Sequence, residues 1–211
     1  MVKAIFFDFW GTLVENGVWS PIKQVRTILR INAPFEEYVV KMEKVMMTKT
    51  FPTLRDAFQA LCDEFHTPCS EEQMDALIGM WNTSWMLAKP YEEVLTTLKD
   101  LQQQYRLILV SNTDCFSIDA VLDKYQLRPY FELVVLSYEV GRIKTDDSFF
   151  PSLLEKMQLN PGDCLMIGDS IQSDIVPTQR AGMNAVLIDR RDSREFQPKI
   201  RSLLEIRQVL T

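Results

Sequence analysis

Histidine is almost absent from this chain: His66 is the single one in 211 residues. It stands beside Thr67-Pro68 in a stretch that reads as loop, so it is not a candidate base. Cysteine is sparse and unpatterned. Cys62, Cys69, Cys115 and Cys164 show no CxxC spacing, which favours buried apolar thiols over metal ligands or disulfides. No apolar run approaches the ~18 residues of a membrane-spanning helix, and no charged leader with a cleavage site precedes the first strand. Positive charge is in deficit, with a net charge of −6 and a pI near 4.9. That balance argues against nucleic acid or an anionic membrane as partner. Internal repeats and low-complexity tracts are also missing. The expectation is a cytoplasmic protein, monomer or homodimer, that binds neither nucleic acid nor membrane.

What is present is enough hydrophobic residue, 46%, to bury a substantial core, as one large domain or one domain with an insertion. Five short apolar runs read as strands: Lys3–Phe7, Leu107–Val110, Leu133–Leu136, Cys164–Ile167 and Ala185–Ile188. Each is continuous, as expected when helices cover both faces of a parallel sheet. Helical segments Tyr91–Gln104, Asp114–Tyr125, Asp147–Met157 and Gln172–Ala181 alternate with the strands, and Lys199–Leu210 reads as a closing helix. The alternation predicts an α/β class: a doubly wound, Rossmann-like parallel sheet of five strands.

The stretch between the first two strands is too long for one crossover. It predicts helices at Ile22–Ile31, Phe35–Thr48, Thr53–Phe65 and Glu71–Leu87. Pro34, Pro52 and Pro68 separate them, and Ser70 can cap the last. Residues 17–87 are therefore expected to form an inserted α-helical cap, and residues 1–16 and 88–211 the α/β core. Glu15-Asn16-Gly17 reads as one hinge and Lys89-Pro90 as the other.

In an open parallel sheet, ligands bind beyond the carboxyl ends of the strands. Asp8 ends the first run and Ser111-Asn112-Thr113 the second. Lys144 follows the third. Gly168-Asp169-Ser170 ends the fourth, with Asp174 just inside the next helix. Asp8, Asp169 and Asp174 are hard oxygen ligands suited to Mg²⁺. Lys144 and the Ser111 hydroxyl can hold the oxygens of a phosphoryl group, with help from backbone N–H groups at a helix start. Asp8 can then attack phosphorus as a carboxylate nucleophile. Two bland alternatives stay open: Ser111 can simply cap the following helix, and Asp174 can serve as a charge at a helix N-terminus.

Asp8-Phe9-Trp10-Gly11-Thr12-Leu13, Ser111-Asn112, Lys144 and Gly168-Asp169-Ser170-Ile171-Gln172-Ser173-Asp174 resemble the four motifs of the haloacid dehalogenase-like hydrolases. Asp174-Ile175 followed by Ala181-Gly182-Met183 resembles the continuation of the fourth. The resemblance covers the whole core, about two thirds of the chain, and the helical insertion is similar to the family's cap between the first and second motifs. It implies Asp8 as nucleophile and Mg²⁺ ligand, the Trp10 carbonyl as a backbone ligand, and Asp169 and Asp174 as further metal ligands. Ser111 and Lys144 would bind the phosphoryl group of a small phosphorylated metabolite, with Asn112 shaping the pocket. Two positions depart from the pattern. Trp10 stands where family phosphatases carry an acid–base Asp, and Thr145 stands where a Pro is frequent. Indole cannot relay a proton, and losing acid–base help typically costs ~10²–10⁴ in rate.

The aromatic at Trp10 also admits a metal-independent 2-haloacid dehalogenase, since family members of that type carry Tyr there and halide leaves without a proton. A non-catalytic phosphate-binding or regulatory homologue is the third alternative. In the insertion, Trp19, Phe51, Arg55, Trp81 and Trp85 can line a substrate pocket. Helical aromatic stripes are more often core, however, and Trp81 and Trp85 share one helix face. The mixed charges of Asp189-Arg190-Arg191-Asp192 read as a solvated strand exit.

Overall fold

The computed structural model describes residues 1–210. In chain order, β1 (Ala4–Phe7) and the short β2 (Val14–Glu15) lead into four helices, α1 (Pro21–Ile28), α2 (Phe35–Met46), α3 (Leu54–Glu64) and α4 (Glu71–Met86). The chain returns through β3 (Lys89–Pro90), α5 (Val94–Leu101), β4 (Arg106–Ser111), α6 (Ile118–Lys124), β5 (Leu133–Leu136) and α7 (Ser137–Val140). It closes with α8 (Phe149–Met157), β6 (Cys164–Gly168), α9 (Val176–Arg180), β7 (Asn184–Ile188) and β8 (Lys199–Ile200). No helix among the described residues is long and apolar enough to cross a membrane.

The main sheet has the order β5-β4-β1-β6-β7-β8, with every pairing parallel. Both its faces are covered, as the continuous apolar runs require. Successive residues of a strand point to opposite sides. Ile5 and Phe7 accordingly join one buried cluster with Leu107, Leu109 and Ile167, while Ala4 and Phe6 join another with Ile108, Val110 and Met166.

The sheet has six strands where the sequence suggests five. Lys199–Ile200 pairs with β7 through Leu187 and Ile188 instead of opening a closing helix, and only a 3₁₀ stretch, Leu203–Gln208, follows. Two residues of strand leave no periodic signal, so sequence pattern alone does not separate them from the helix start. A second difference lies at Ile171–Ile175, which winds as a π-helical turn before α9 in place of one continuous helix.

α1 to α4 pack around an apolar cluster of their own, built on Val25, Tyr38, Met42, Met46, Phe58, Leu61, Leu77 and Trp81. Capping boxes start two of them. Thr53 pairs with Asp56 ahead of α3, and Ser70 pairs with Gln73 ahead of α4, where the sequence places a cap. The two chain passages into and out of this helical layer lie side by side. Val14 and Glu15 pair antiparallel with Pro90 and Lys89, so the two expected hinges form a single two-stranded ribbon.

Candidate active site

β1 lies between β4 and β6, and the chain turns to opposite sides of it, which is where a doubly wound sheet opens a crevice. Asp8 leaves β1 into that crevice with its backbone N–H tied to Ile167 O at 2.9 Å. Gly11 then takes a positive φ of 79°, a conformation that glycine adopts without steric cost. The tight turn lets the Thr12 hydroxyl reach back and donate to Asp8 Oδ2 at 3.1 Å.

Lys144 is the electrostatic centre. Its side chain is 2% exposed, and its ammonium donates to Asp8 Oδ1 at 2.7 Å and to Asp174 Oδ1. Burial alone would lower the Lys144 pKa, but Asp174 and Asp8 outweigh it and hold the group charged, above its ordinary value. Asn112 fixes the lysine from the other end by accepting the Lys144 backbone N–H at 2.9 Å. Asp174 is held from the π-helical turn, where its Oδ2 accepts Ser170 N–H at 2.9 Å. Such turns are frequent at functional positions. Asp174 is therefore a buried partner of Lys144, and it also stands as the acidic residue in the first turn of that short helix.

Asp8, Asp169 and Asp174 present oxygens within 4.8 Å of one another. The Lys144 ammonium lies among three carboxylates, and the excess of negative charge acts on the protonation of two of them, Asp8 and Asp169. Burial first, then the Asp174 charge, pushes Asp8 up to about 6 against the pull of Lys144. Burial, with Asp8 and Asp174, pushes Asp169 up to about 8. The donor set is all hard oxygen, and the backbone leaves room for it. A Cβ on Gly11 would stand 2.5 Å from Asp169 Oδ2, and one on Gly168 2.3 Å from Asp174 Cγ. These residues fit a divalent cation of the Mg²⁺ class.

Ser111 is wholly buried at the end of β4, is not among the residues that line the cavity beside Asp8, and its hydroxyl has no hydrogen-bond partner among the described residues. The capping alternative therefore does not hold. Trp10 lines the same cavity as Asp8, but its indole Nε1 donates to Thr113 Oγ1 at 3.2 Å and its ring packs edge-on against Phe9. It bridges the loops after β1 and β4.

Above these groups lies a cavity of about 1010 Å³, lined from the core by Asp8, Lys144, Asp169 and Asp174 and from the helical layer by Trp19, Trp81 and Trp85. The pocket-lining alternative thus holds for the three tryptophans. Trp81 is at the same time a core residue, packed edge-on to Phe58 and donating Nε1 to Asp114 Oδ2 at 3.1 Å. Phe51 and Arg55 do not line the cavity. Arg55 faces solvent, paired with Glu71 and Asp75. Asp189 and Arg190 also depart from expectation. Asp189 is buried, and Arg190 stacks on Tyr91 at 3.4 Å, pairs with Glu93 and donates to Thr12 O. It staples the Asp8 turn to the segment leading into α5.

One residue of the site is invisible to motif reasoning. Glu43, on α2, is 7% exposed and lines the cavity. It accepts from Asn112 Nδ2 at 2.8 Å and from Ser173 Oγ at 3.2 Å. Burial outweighs Lys144 and these donors, and pushes its carboxyl up to about 7. The signal was a carboxylate on the apolar face of α2, between Met42 and Met46.

A model of the haloacid dehalogenase-like hydrolases matches residues 2–182. The chain is 25% identical over 197 residues to the glyceraldehyde 3-phosphate phosphatase of Methanothermobacter thermautotrophicus, covering 90% of this chain and 86% of that one. It is 24% identical over 203 residues to the N-acylneuraminate-9-phosphatase of Rattus norvegicus, covering 88% and 82%. Among solved structures, a HAD phosphatase from Thermococcus onnurineus superposes with a TM-score of 0.65 at 22% identity, over 99% of this chain and 98% of that one. That likeness shows the fold.

Proposed function

The chain belongs to the haloacid dehalogenase-like hydrolases, and from that premise we propose that it is a Mg²⁺-dependent, cytoplasmic phosphatase of small phosphorylated metabolites. The observation that carries the proposal is the triad of Asp8, Asp169 and Asp174 around the buried Lys144 ammonium. Residues 17–87 act as the cap over this site, and four free thiols suit a reducing compartment. The two relatives are both phosphatases, which supports the same reaction class.

Asp8, Asp169, Asp174 and the Trp10 carbonyl would hold Mg²⁺, which when bound neutralises phosphoryl charge and excess carboxylate charge. The remaining chemistry belongs to the chain. The Asp8 carboxylate attacks phosphorus and forms an aspartyl-phosphate. Lys144 holds the phosphoryl oxygens and keeps Asp8 ionised. The Ser111 hydroxyl, without a partner among the described residues, would donate to the same group. Asn112 keeps Lys144 in place through its backbone.

The aromatic at position 10 is the one feature that favours a dehalogenase. Two observations weigh against it: the indole is engaged by Thr113, and a metal-free site has no use for three clustered carboxylates. The test measures phosphate release from p-nitrophenyl phosphate and acetyl phosphate, with Mg²⁺ and with EDTA, beside chloride release from 2-chloropropionate. Phosphate release that disappears in EDTA and in Asp8→Asn is expected. Metal-independent chloride release would overturn the phosphatase, and inactivity on every substrate would point to the non-catalytic homologue.

A further inference from the structure

The proposed phosphoryl transfer leaves one proton without a carrier. An alcohol leaving group needs it, and the Trp10 indole neither titrates usefully nor stands free of Thr113. A carboxyl group enters the same cavity from the helical layer. Glu43 lines it together with Asp8, Trp10 and Lys144. Its two hydrogen bonds, from Asn112 Nδ2 and Ser173 Oγ, both end on Oε2. No described residue hydrogen-bonds Oε1. One oxygen is thus anchored to the loops that carry the phosphoryl-binding and metal-binding residues, and the other is free to exchange a proton with what occupies the cavity.

We infer that Glu43 is the acid–base residue of this enzyme, supplied by the cap in place of the aspartate that Trp10 displaces. The inference rests on the phosphatase proposal. In the first step an Asp8 oxygen forms a bond to phosphorus, and the bond from phosphorus to the leaving oxygen breaks with its electron pair on that oxygen. The leaving oxygen takes the proton from Glu43 Oε1 and departs as an alcohol. In the second step Glu43, now a carboxylate, takes one proton from water as the water oxygen attacks phosphorus. The bond from phosphorus to Asp8 breaks, its electron pair returns to the carboxylate, and hydrogen phosphate leaves with the second water proton. Glu43 ends protonated as it began. The charged groups acting on it are Lys144 and Asp174, and burial pushes its carboxyl up to about 7, so a proton is available near neutral pH.

A carboxylate that served only to tie the helical layer to the core would act on every substrate alike, and leaving groups tell the two roles apart. The experiment measures kcat/KM, which reports the first step, for propyl phosphate, p-nitrophenyl phosphate and acetyl phosphate. It uses the full-length wild type, Glu43→Gln and Glu43→Asp with Mg²⁺ present. Glu43→Gln is expected to lose ~10²–10⁴ on propyl phosphate, much less on p-nitrophenyl phosphate and least on acetyl phosphate. Glu43→Asp keeps a carboxyl and withdraws it by one methylene, so it loses less in the same order; it decides the matter if the glutamine variant does not fold. Equal losses on all three substrates would overturn the inference and leave the phosphatase standing. Absence of any Asp8-dependent phosphate release from the wild type would overturn both.

Discussion

The Trp10 indole donates its N–H to the Thr113 hydroxyl at 3.2 Å, which joins the turn after β1 to the loop after β4. A large aromatic in this place supports the crevice wall and carries no proton to the reaction. Trp10→Phe removes the donor and keeps most of the ring. The expected cost is about 1 kcal/mol, the typical net value of one hydrogen bond, or roughly 2–4 °C in Tm for a chain of this size. The ratio of propyl to p-nitrophenyl phosphate turnover should not move. Denaturation and the two assays check this, and a collapse of the alkyl rate alone would show that the indole takes part in the proton transfer.

The Lys144 ammonium is bonded to two buried carboxylates, Asp8 and Asp174. Removing one partner from a buried ionic group typically costs about 3–5 kcal/mol, because the charges left behind lose their compensation. Lys144→Met is expected to show a loss of this order in metal-free denaturation, together with loss of phosphate release. Mg²⁺ should restore part of the stability and none of the activity, since the ion can screen Asp8 and Asp174 but cannot replace the phosphoryl contact. Full rescue of turnover by Mg²⁺ would remove Lys144 from the phosphoryl site.

The raised carboxyls set a pH dependence. Asp8 near 6, Glu43 near 7 and Asp169 near 8 all lie above their unfolded values of about 4. The folded chain therefore binds more protons than the unfolded chain between those limits, and stability falls as pH rises. Glu93 and Glu132 are shifted down, so the stability they add is complete once pH exceeds their unfolded value. From pH 5.5 to 8.5 the raised groups decide the sign, and the metal-free Tm should fall. Mg²⁺ competes with those same protons, so the gap in Tm with and without Mg²⁺ should widen over this range. A metal-free Tm that rises with pH would contradict the electrostatics of the cluster.

The strand ends were legible in the sequence because a parallel sheet brings every carboxyl edge to one side. The strand-end positions of Asp8, Ser111 and Asp169 followed from three buried runs, while the roles assigned to them rested on the motif resemblance as well. The long gap before Lys89 revealed the helical layer by the same logic of length. What escaped has a common cause. Glu43 meets Asn112 and Ser173, and Arg190 meets Tyr91 and Glu93, across separations that no local pattern records. β8 escaped for the opposite reason: two residues are too few to display a period. Glu43 did leave a trace, as a charge on the apolar face of α2, but a trace of that kind acquires meaning only when the surface that covers it is known.

Gly11 offers a test that joins backbone to chemistry. Its φ of 79° and the 2.5 Å approach of a hypothetical Cβ to Asp169 Oδ2 are separate constraints on one residue. Gly11→Ala should therefore act twice. The left-handed backbone costs about 1–2 kcal/mol for a residue with a Cβ, visible as lower stability with or without metal. The new methyl group also displaces the Asp169 carboxylate, which weakens Mg²⁺ binding and raises the Mg²⁺ concentration needed for half-maximal phosphate release. Isothermal titration with Mg²⁺ separates the two effects. A variant that loses stability and keeps its Mg²⁺ affinity would show that Asp169 does not need its present position to hold the metal.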